Sequence, residues 1–88
     1  MKFRRTDRFK KSFQSLLPKI QNKVKKALKL LLINLHHPSL RTKKLEGTCG
    51  IWYIRVDLKH RLTFEIDEMN KLFVLRNVGE HDATLSKP

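Results

Sequence analysis

The sequence lacks most of what a cofactor enzyme or a metalloenzyme requires. Its one cysteine, Cys49, rules out an internal disulfide and a cysteine-rich zinc site, since each needs several thiols at set spacings. The side chain itself reads as small and semi-buried. Only three glycines are present, and no Walker-type phosphate loop or dinucleotide fingerprint can be traced. The longest aliphatic run, Leu30 to Ile33, is far too short to span a membrane. The opening Met-Lys-Phe-Arg-Arg-Thr-Asp-Arg has no apolar stretch of signal-peptide type, so a soluble, cytoplasmic protein without a membrane partner is expected. Acids are scarce too. The eight Asp and Glu fall mostly at turns or beside arginines, whereas a metal-dependent nuclease needs several clustered carboxylates. Neither a metal nor a cofactor is expected.

What the chain has in excess is positive charge. Twenty Lys and Arg give a formal net charge of +12, which calls for a polyanionic partner. The excess is uneven: residues 1–44 carry 14 Lys/Arg and one acid, whereas residues 45–88 carry six Lys/Arg and seven acids. At 88 residues the chain can fill one core, and 40% hydrophobic residues suffice for it, so a single domain over 1–88 is expected rather than a disordered basic tail.

Periodicity predicts the elements. Residues 1–5 suit an edge strand, and Thr6 or Asp7 can cap a helix. Phe9, Phe13, Leu16 and Leu17 then form one helical stripe, and Pro18 suits the first turn of a second helix. Ile20, Val24, Ala27, Leu28, Leu31, Leu32 and Leu35 give that helix its apolar face. His36-His37 fall at its end, where a positive imidazole would suit the carbonyl pole.

After a basic connector over 38–50 the period changes to two. Trp52, Ile54 and Val56 share one strand face, and Leu62, Phe64 and Ile66 share another. Leu72–Val78 is a nearly continuous apolar run, as expected of a central strand covered on both sides. The order β-α-α-β-β-β predicts an α+β fold, with a small antiparallel sheet packed on an N-terminal helical hairpin.

Strand parity also places the candidate chemistry. Arg55 and Arg61 point together from the face opposite the helices, close enough to share a phosphate through their guanidinium forks. The alternative is that Asp57 and Glu65, of the same parity, pair with them. His81 follows Gly79 at a strand end, where a rigid scaffold can present an imidazole for proton transfer; an ordinary exposed histidine fits the same position. Lys59 has the parity of Arg61 and suits the rim of a phosphate site, and an ordinary turn lysine fits it equally. His60 has the parity of Leu62 and reads as partly buried. Lys43 and Lys44, with Arg41, lie in a connector that can approach the open sheet face; a solvated basic loop is the equal alternative. RNA cleavage needs no metal, because the 2′-hydroxyl attacks the adjacent phosphate when geometry is held and cations meet the phosphorane charge.

Taken in order, Phe9…Phe13…Leu16-Leu17-Pro18, His37-Pro38-Ser39-Leu40-Arg41…Lys43-Lys44-Leu45-Glu46-Gly47, Ile51-Trp52…Arg55-Val56, His60-Arg61-Leu62-Thr63-Phe64-Glu65-Ile66 and Leu75-Arg76-Asn77-Val78-Gly79-Glu80-His81-Asp82 resemble the RelE/ParE superfamily of toxins, nearest its RelE-like and YoeB-like members. The resemblance implies a RelE-like, microbial-ribonuclease-type fold and the toxin of a type II toxin-antitoxin system. Such a toxin is an mRNA endonuclease acting in the ribosomal A site, held inactive by a cognate antitoxin. Its cleavage leaves a 2′,3′-cyclic phosphate and a 5′-hydroxyl. By position, Arg61 matches the family's phosphate-binding arginine in Arg-Leu-x-Phe/Tyr, and Arg55 matches a basic position one strand earlier. His81 matches the C-terminal histidine of YoeB-like and YafQ-like members, and Lys43 and Lys44 sit near a basic RNA-gripping loop. The tail Ala83-Thr84-Leu85-Ser86-Lys87-Pro88 departs from the functional tyrosine or phenylalanine common in RelE-like enzymes. Tyr53 offers a hydroxyl from the strand face, and the general base stays open between His81, a lysine and Glu46. ParE-like members share the fold without nuclease chemistry and poison DNA gyrase. A gyrase inhibitor and a non-enzymatic RNA-binding module are therefore the alternative functions.

Overall fold

A computed structural model describes residues 1–88. In chain order the elements are β1 (Lys2–Arg5), α1 (Asp7–Gln14), α2 (Pro18–Ile33), a 3₁₀ turn (Pro38–Leu40), β2 (Lys43–Lys44), β3 (Ile51–Arg55), β4 (His60–Asp67), β5 (Leu72–Glu80) and α3 (His81–Ser86). The five strands form one sheet in the order β1-β5-β4-β3-β2. No helix is long and apolar enough to cross a membrane.

Local chemistry sets each boundary. The Thr6 hydroxyl donates to the Leu75 carbonyl at 2.7 Å and accepts from the Phe9 amide at 3.2 Å, ending β1 and capping α1 in one group. Pro18 occupies the first turn of α2, where its missing N–H costs nothing. Gln21 Nε2 donates back to the Phe13 carbonyl and ties the two helices together. The buried face of α2, Val24, Ala27, Leu28 and Leu31, packs with Phe9 against Ile54, Leu62, Phe64 and Leu75 of the sheet. Phe73 meets Phe64 edge to face, with centroids 5.6 Å apart.

The α+β class and the helical hairpin on one sheet face agree with the sequence pattern, and three details of the architecture differ. The sheet is mixed, because β1 runs parallel to β5 while β2, β3, β4 and β5 pair antiparallel. The connector contributes a short strand, β2. A short helix, α3, follows β5.

Burial along β5 alternates from Leu72 to Arg76 and is two-sided only at Asn77-Val78, where α3 covers the outer face. Leu75 and Val78 both face the helices although they are three residues apart. Strict alternation would separate them. A bulge between Thr63 and Phe64 leaves Arg76 as the extra residue on β5 and restores the facing. Cys49 is exposed in the turn before β3. His37 does not cap α2, whose last turn closes on Asn34. Its Nδ1 accepts from the Ser39 amide and so caps the 3₁₀ turn.

Candidate phosphate-binding site

On the face away from α1 and α2, the sheet is covered along one half only. Helix α3 lies over β4 and β5, and the carbonyls behind it are held by the sheet. Thr63 Oγ1 donates to the Pro88 carbonyl at 3.0 Å, Arg76 Nε to the same oxygen at 3.2 Å, and Asn77 Nδ2 to the Lys87 carbonyl at 3.1 Å. Arg8 reaches Lys87 from α1. Gly79 allows this approach, since a Cβ there would meet Thr84 Oγ1 at 3.0 Å. The His81 amide donates to the Lys59 carbonyl at 2.7 Å and pins the first residue of α3 to the β3–β4 turn.

The uncovered half is a cleft of about 190 Å³ lined by Arg41, Lys43, Tyr53, Arg55, Arg61 and His81. Register explains the assembly: Arg55 faces Arg61 across β3 and β4, Lys43 faces Tyr53 across β2 and β3, and alternation puts Tyr53 and Arg55 on one side. Arg41 enters from the residue after the 3₁₀ turn with φ +48, a left-handed conformation that a non-glycine residue adopts at a cost.

None of the four cations in this cleft has a carboxylate partner. Glu65 pairs with Arg76 at 2.7 Å, and Asp57 pairs with Lys23 at 3.3 Å and His60 at 2.9 Å. The two acids that parity offered to Arg55 and Arg61 are thus committed elsewhere. Arg61 instead donates through one guanidinium nitrogen to the carbonyls of Asp57 and His60, at 2.7 and 2.9 Å. Burial, then the facing charge of Arg55, hold the Arg61 guanidinium below its ordinary value; Arg41 adds to this, and Tyr53 and Asp57 oppose it. An anion entering the cleft would offset the repulsion between the two guanidinium groups.

His81 is about half exposed, and its Nδ1 lies 2.9 Å from Asp82 Oδ1. With Nδ1–H donating to that carboxylate, Nε2 is left without a protein partner and is free for proton transfer. Asp57 is a different case. Burial alone would raise its carboxyl, but the His60 side chain, the amides of Lys59 and His60, and Lys23 together hold it well below the usual carboxylate range.

Of the residues singled out in the sequence, Arg41, Lys43, Arg55, Arg61 and His81 come together and Lys44 and Lys59 do not. Lys44 pairs with Trp52 in register and carries its ammonium 5.2 Å from the indole centroid, a cation–π contact on the helix side of the sheet. Lys59 is exposed and contributes backbone groups to the turn. His60 is partly buried against Asp57. Glu46 is exposed and does not line the cleft. Tyr53 does line it. Its parity with Arg55 was the available signal. No three His, Cys, Asp or Glu side chains group as metal ligands. A larger groove of about 450 Å³ between Leu31, Leu35, Ile66 and Phe73 is mostly apolar, with Glu68 and Lys71 its charged residues.

No protein-family model and no curated protein sequence matches the chain. Solved structures do. The YoeB/ParE toxin of Agrobacterium tumefaciens superposes with a TM-score of 0.78 at 15% identity, covering 92% of this chain and 99% of that one. The YoeB of Staphylococcus aureus, solved as a dimer, gives 0.75 at 17% identity over 92% and 97% of the two chains. An archaeal RelE–RelB complex from Pyrococcus horikoshii gives 0.74 at 15% identity over 92% and 94%. Across nearly its whole length, this chain has the fold of the RelE and YoeB toxins.

Proposed function

We propose that this protein is the toxin of a toxin-antitoxin pair and cuts mRNA on the ribosome by attack of an RNA 2′-hydroxyl on the adjacent phosphate. One observation carries the reading: a concave cluster of Arg41, Lys43, Arg55 and Arg61, free of carboxylates, with an imidazole at its edge. The fold of proteins solved as toxins, one of them in complex with RelB, supports it.

The reaction asks three things of the cleft: cations for the phosphorane charge, a proton acceptor and a proton donor. Arg55 and Arg61 take the non-bridging oxygens of the scissile phosphate, where charge grows as the phosphorane forms. The 2′-oxygen bonds to phosphorus, its proton leaves to a base, the bond from phosphorus to the 5′-oxygen breaks, and that oxygen gains a proton. His81 Nε2 serves one of these two transfers, and the Tyr53 hydroxyl or the Lys43 ammonium serves the other. The products are a 2′,3′-cyclic phosphate and a 5′-hydroxyl, and the chemistry consumes no metal ion. The basic first half of the chain meets ribosomal RNA, the cellular setting is the cytoplasm, and an antitoxin covers the cleft until it is removed.

The test incubates the protein with translating ribosomes in one reaction and, separately, with purified gyrase and DNA. Message cut on the ribosome with a 2′,3′-cyclic phosphate at the new end, and cutting lost in Arg61→Ala and His81→Ala, is the expected result. Intact message overturns the nuclease reading, and DNA breaks in the second reaction would assign the protein to gyrase instead.

A further inference from the structure

Arg55 belongs to two cavities. Beyond the cleft described above, it also lines a second pocket of about 300 Å³, formed by Lys23, Lys26, Ala27 and Leu30 of α2, Ser39 and Leu40 of the 3₁₀ turn, and Val56 and Asp57 after β3. The α2 residues recur at i, i+3, i+4 and i+7, so a single face of that helix supplies them. The pocket has two chemically distinct parts. Ala27, Leu30, Leu40 and Val56 make an apolar wall, and Lys23, Lys26 and Arg55 make a cationic rim.

The one acid present does not neutralise this rim. Oδ1 of Asp57 accepts from the amides of Lys59 and His60 and meets His60 Nδ1, while Oδ2 takes the Lys23 ammonium. Lys26 has no ion pair, and Arg55 has none. With Lys23 paired to Asp57, Lys26 and Arg55 are the two cations left to meet an anion. The pocket's volume falls at the small end of the roughly 300–1,000 Å³ range of small-molecule pockets, with the usual apolar lining and few polar groups.

We propose that this pocket binds the nucleotide next to the scissile phosphate of the same RNA strand, its base or sugar on the apolar wall and its phosphodiester between Lys26 and Arg55. The inference rests on the RNA-cleaving reading for the identity of the strand. The pocket lies on the α2 side of the sheet and the cleft on the other, so the strand would turn around the end of β3 at Arg55, the residue both cavities share, and that turn would fix its path.

The test measures binding of 2′-O-methyl RNA, which lacks the attacking hydroxyl, to the full protein and to Lys26→Gln, a substitution of an exposed helical residue outside the catalytic cleft. A tetranucleotide should bind about tenfold more weakly to Lys26→Gln, with its log–log salt slope shallower by about 0.7, the value for one single-strand phosphate contact. A dinucleotide, too short to fill both cavities, should bind both proteins alike, and Lys26→Arg should restore the tetranucleotide. An equal loss for both lengths, or no loss for either, overturns the inference. So does a mononucleotide that binds as tightly as the tetranucleotide and weakens equally in Lys26→Gln, because the pocket would then take a free ligand. Cleavage separates the two readings. Cut message without a length-dependent Lys26 effect removes only the pocket, whereas that effect with uncut message removes only the nuclease.

Discussion

Arg55 and Arg61 stand opposite each other in the β3–β4 register, and neither is paired with a carboxylate. Like charges placed directly across an antiparallel pair destabilise it, on the order of the 0.2–1 kcal/mol that favourable cross-strand pairs contribute. Arg55→Gln should therefore raise the stability of the free protein by an amount in that range while weakening RNA binding. Thermal denaturation and an RNA titration of the same sample check the two halves. Adding inorganic phosphate should raise the Tm of the original protein more than that of the variant, because ligand binding stabilises only the form that binds it.

Arg41 enters the cleft with φ +48, so its backbone and its charge can be separated by substitution. Arg41→Gly relieves the left-handed conformation and should stabilise the fold by up to about 1 kcal/mol, whereas Arg41→Ala keeps the strain. Both variants lose the cation, so both should bind RNA equally poorly. Denaturant unfolding distinguishes them, and binding should not.

Gly79→Ala would push a methyl against Thr84 Oγ1 at 3.0 Å, and Thr84 is buried. A loss of about 1–3 kcal/mol is expected from overpacking. The same change made in a Thr84→Ala background should cost much less, and a double-mutant cycle gives the coupling directly. Because His81 opens α3, cleavage should fall in Gly79→Ala by more than the fraction unfolded explains.

Asp57 gives the acid limit of stability. Its carboxyl is held below its usual range in the folded chain, so the unfolded chain binds the proton first as pH falls. The stabilisation is fully present above the unfolded value, near about 3.9, and is lost progressively at lower pH as the folded value is approached. Asp57→Asn should therefore destabilise the protein at pH 7 and matter progressively less below about pH 4. Denaturant midpoints measured across that range check the sign.

The parts of the molecule legible in the sequence are those that local periodicity encodes. Phe9 and Phe13 on α1, Val24 to Leu31 on α2, and the shared parity of Tyr53, Arg55 and Arg61 all follow from repeats of 3.6 or 2 within a dozen residues. Long-range facts were not encoded that way. Nothing local to Lys2–Arg5 tells it to join β5 in parallel, and the bulge at Arg76 depends on what β4 offers across the ladder. Helix α3 is six residues long with few apolar positions, too short to show a period. For the site, neighbours in sequence were poor guides to neighbours in space. Lys43 and Lys44 are adjacent, yet strand alternation sends one toward Tyr53 and the other over Trp52.

The parallel pairing of β1 with β5 has a consequence for synthesis. The hydroxyl of Thr6 finds its acceptor at Leu75, 69 residues later. On a chain made from its first residue onward, β1 emerges well before the strand it pairs with, and the bond from the Thr6 hydroxyl to the Leu75 carbonyl waits equally long, although its cap on Phe9 can form at once. Closing so distant a contact is slow, and the core under the helical hairpin gains β5 only then. Until β5 has been made, the residues before it stay incompletely folded and strongly basic, and the cleft takes shape only with the last strand of the sheet.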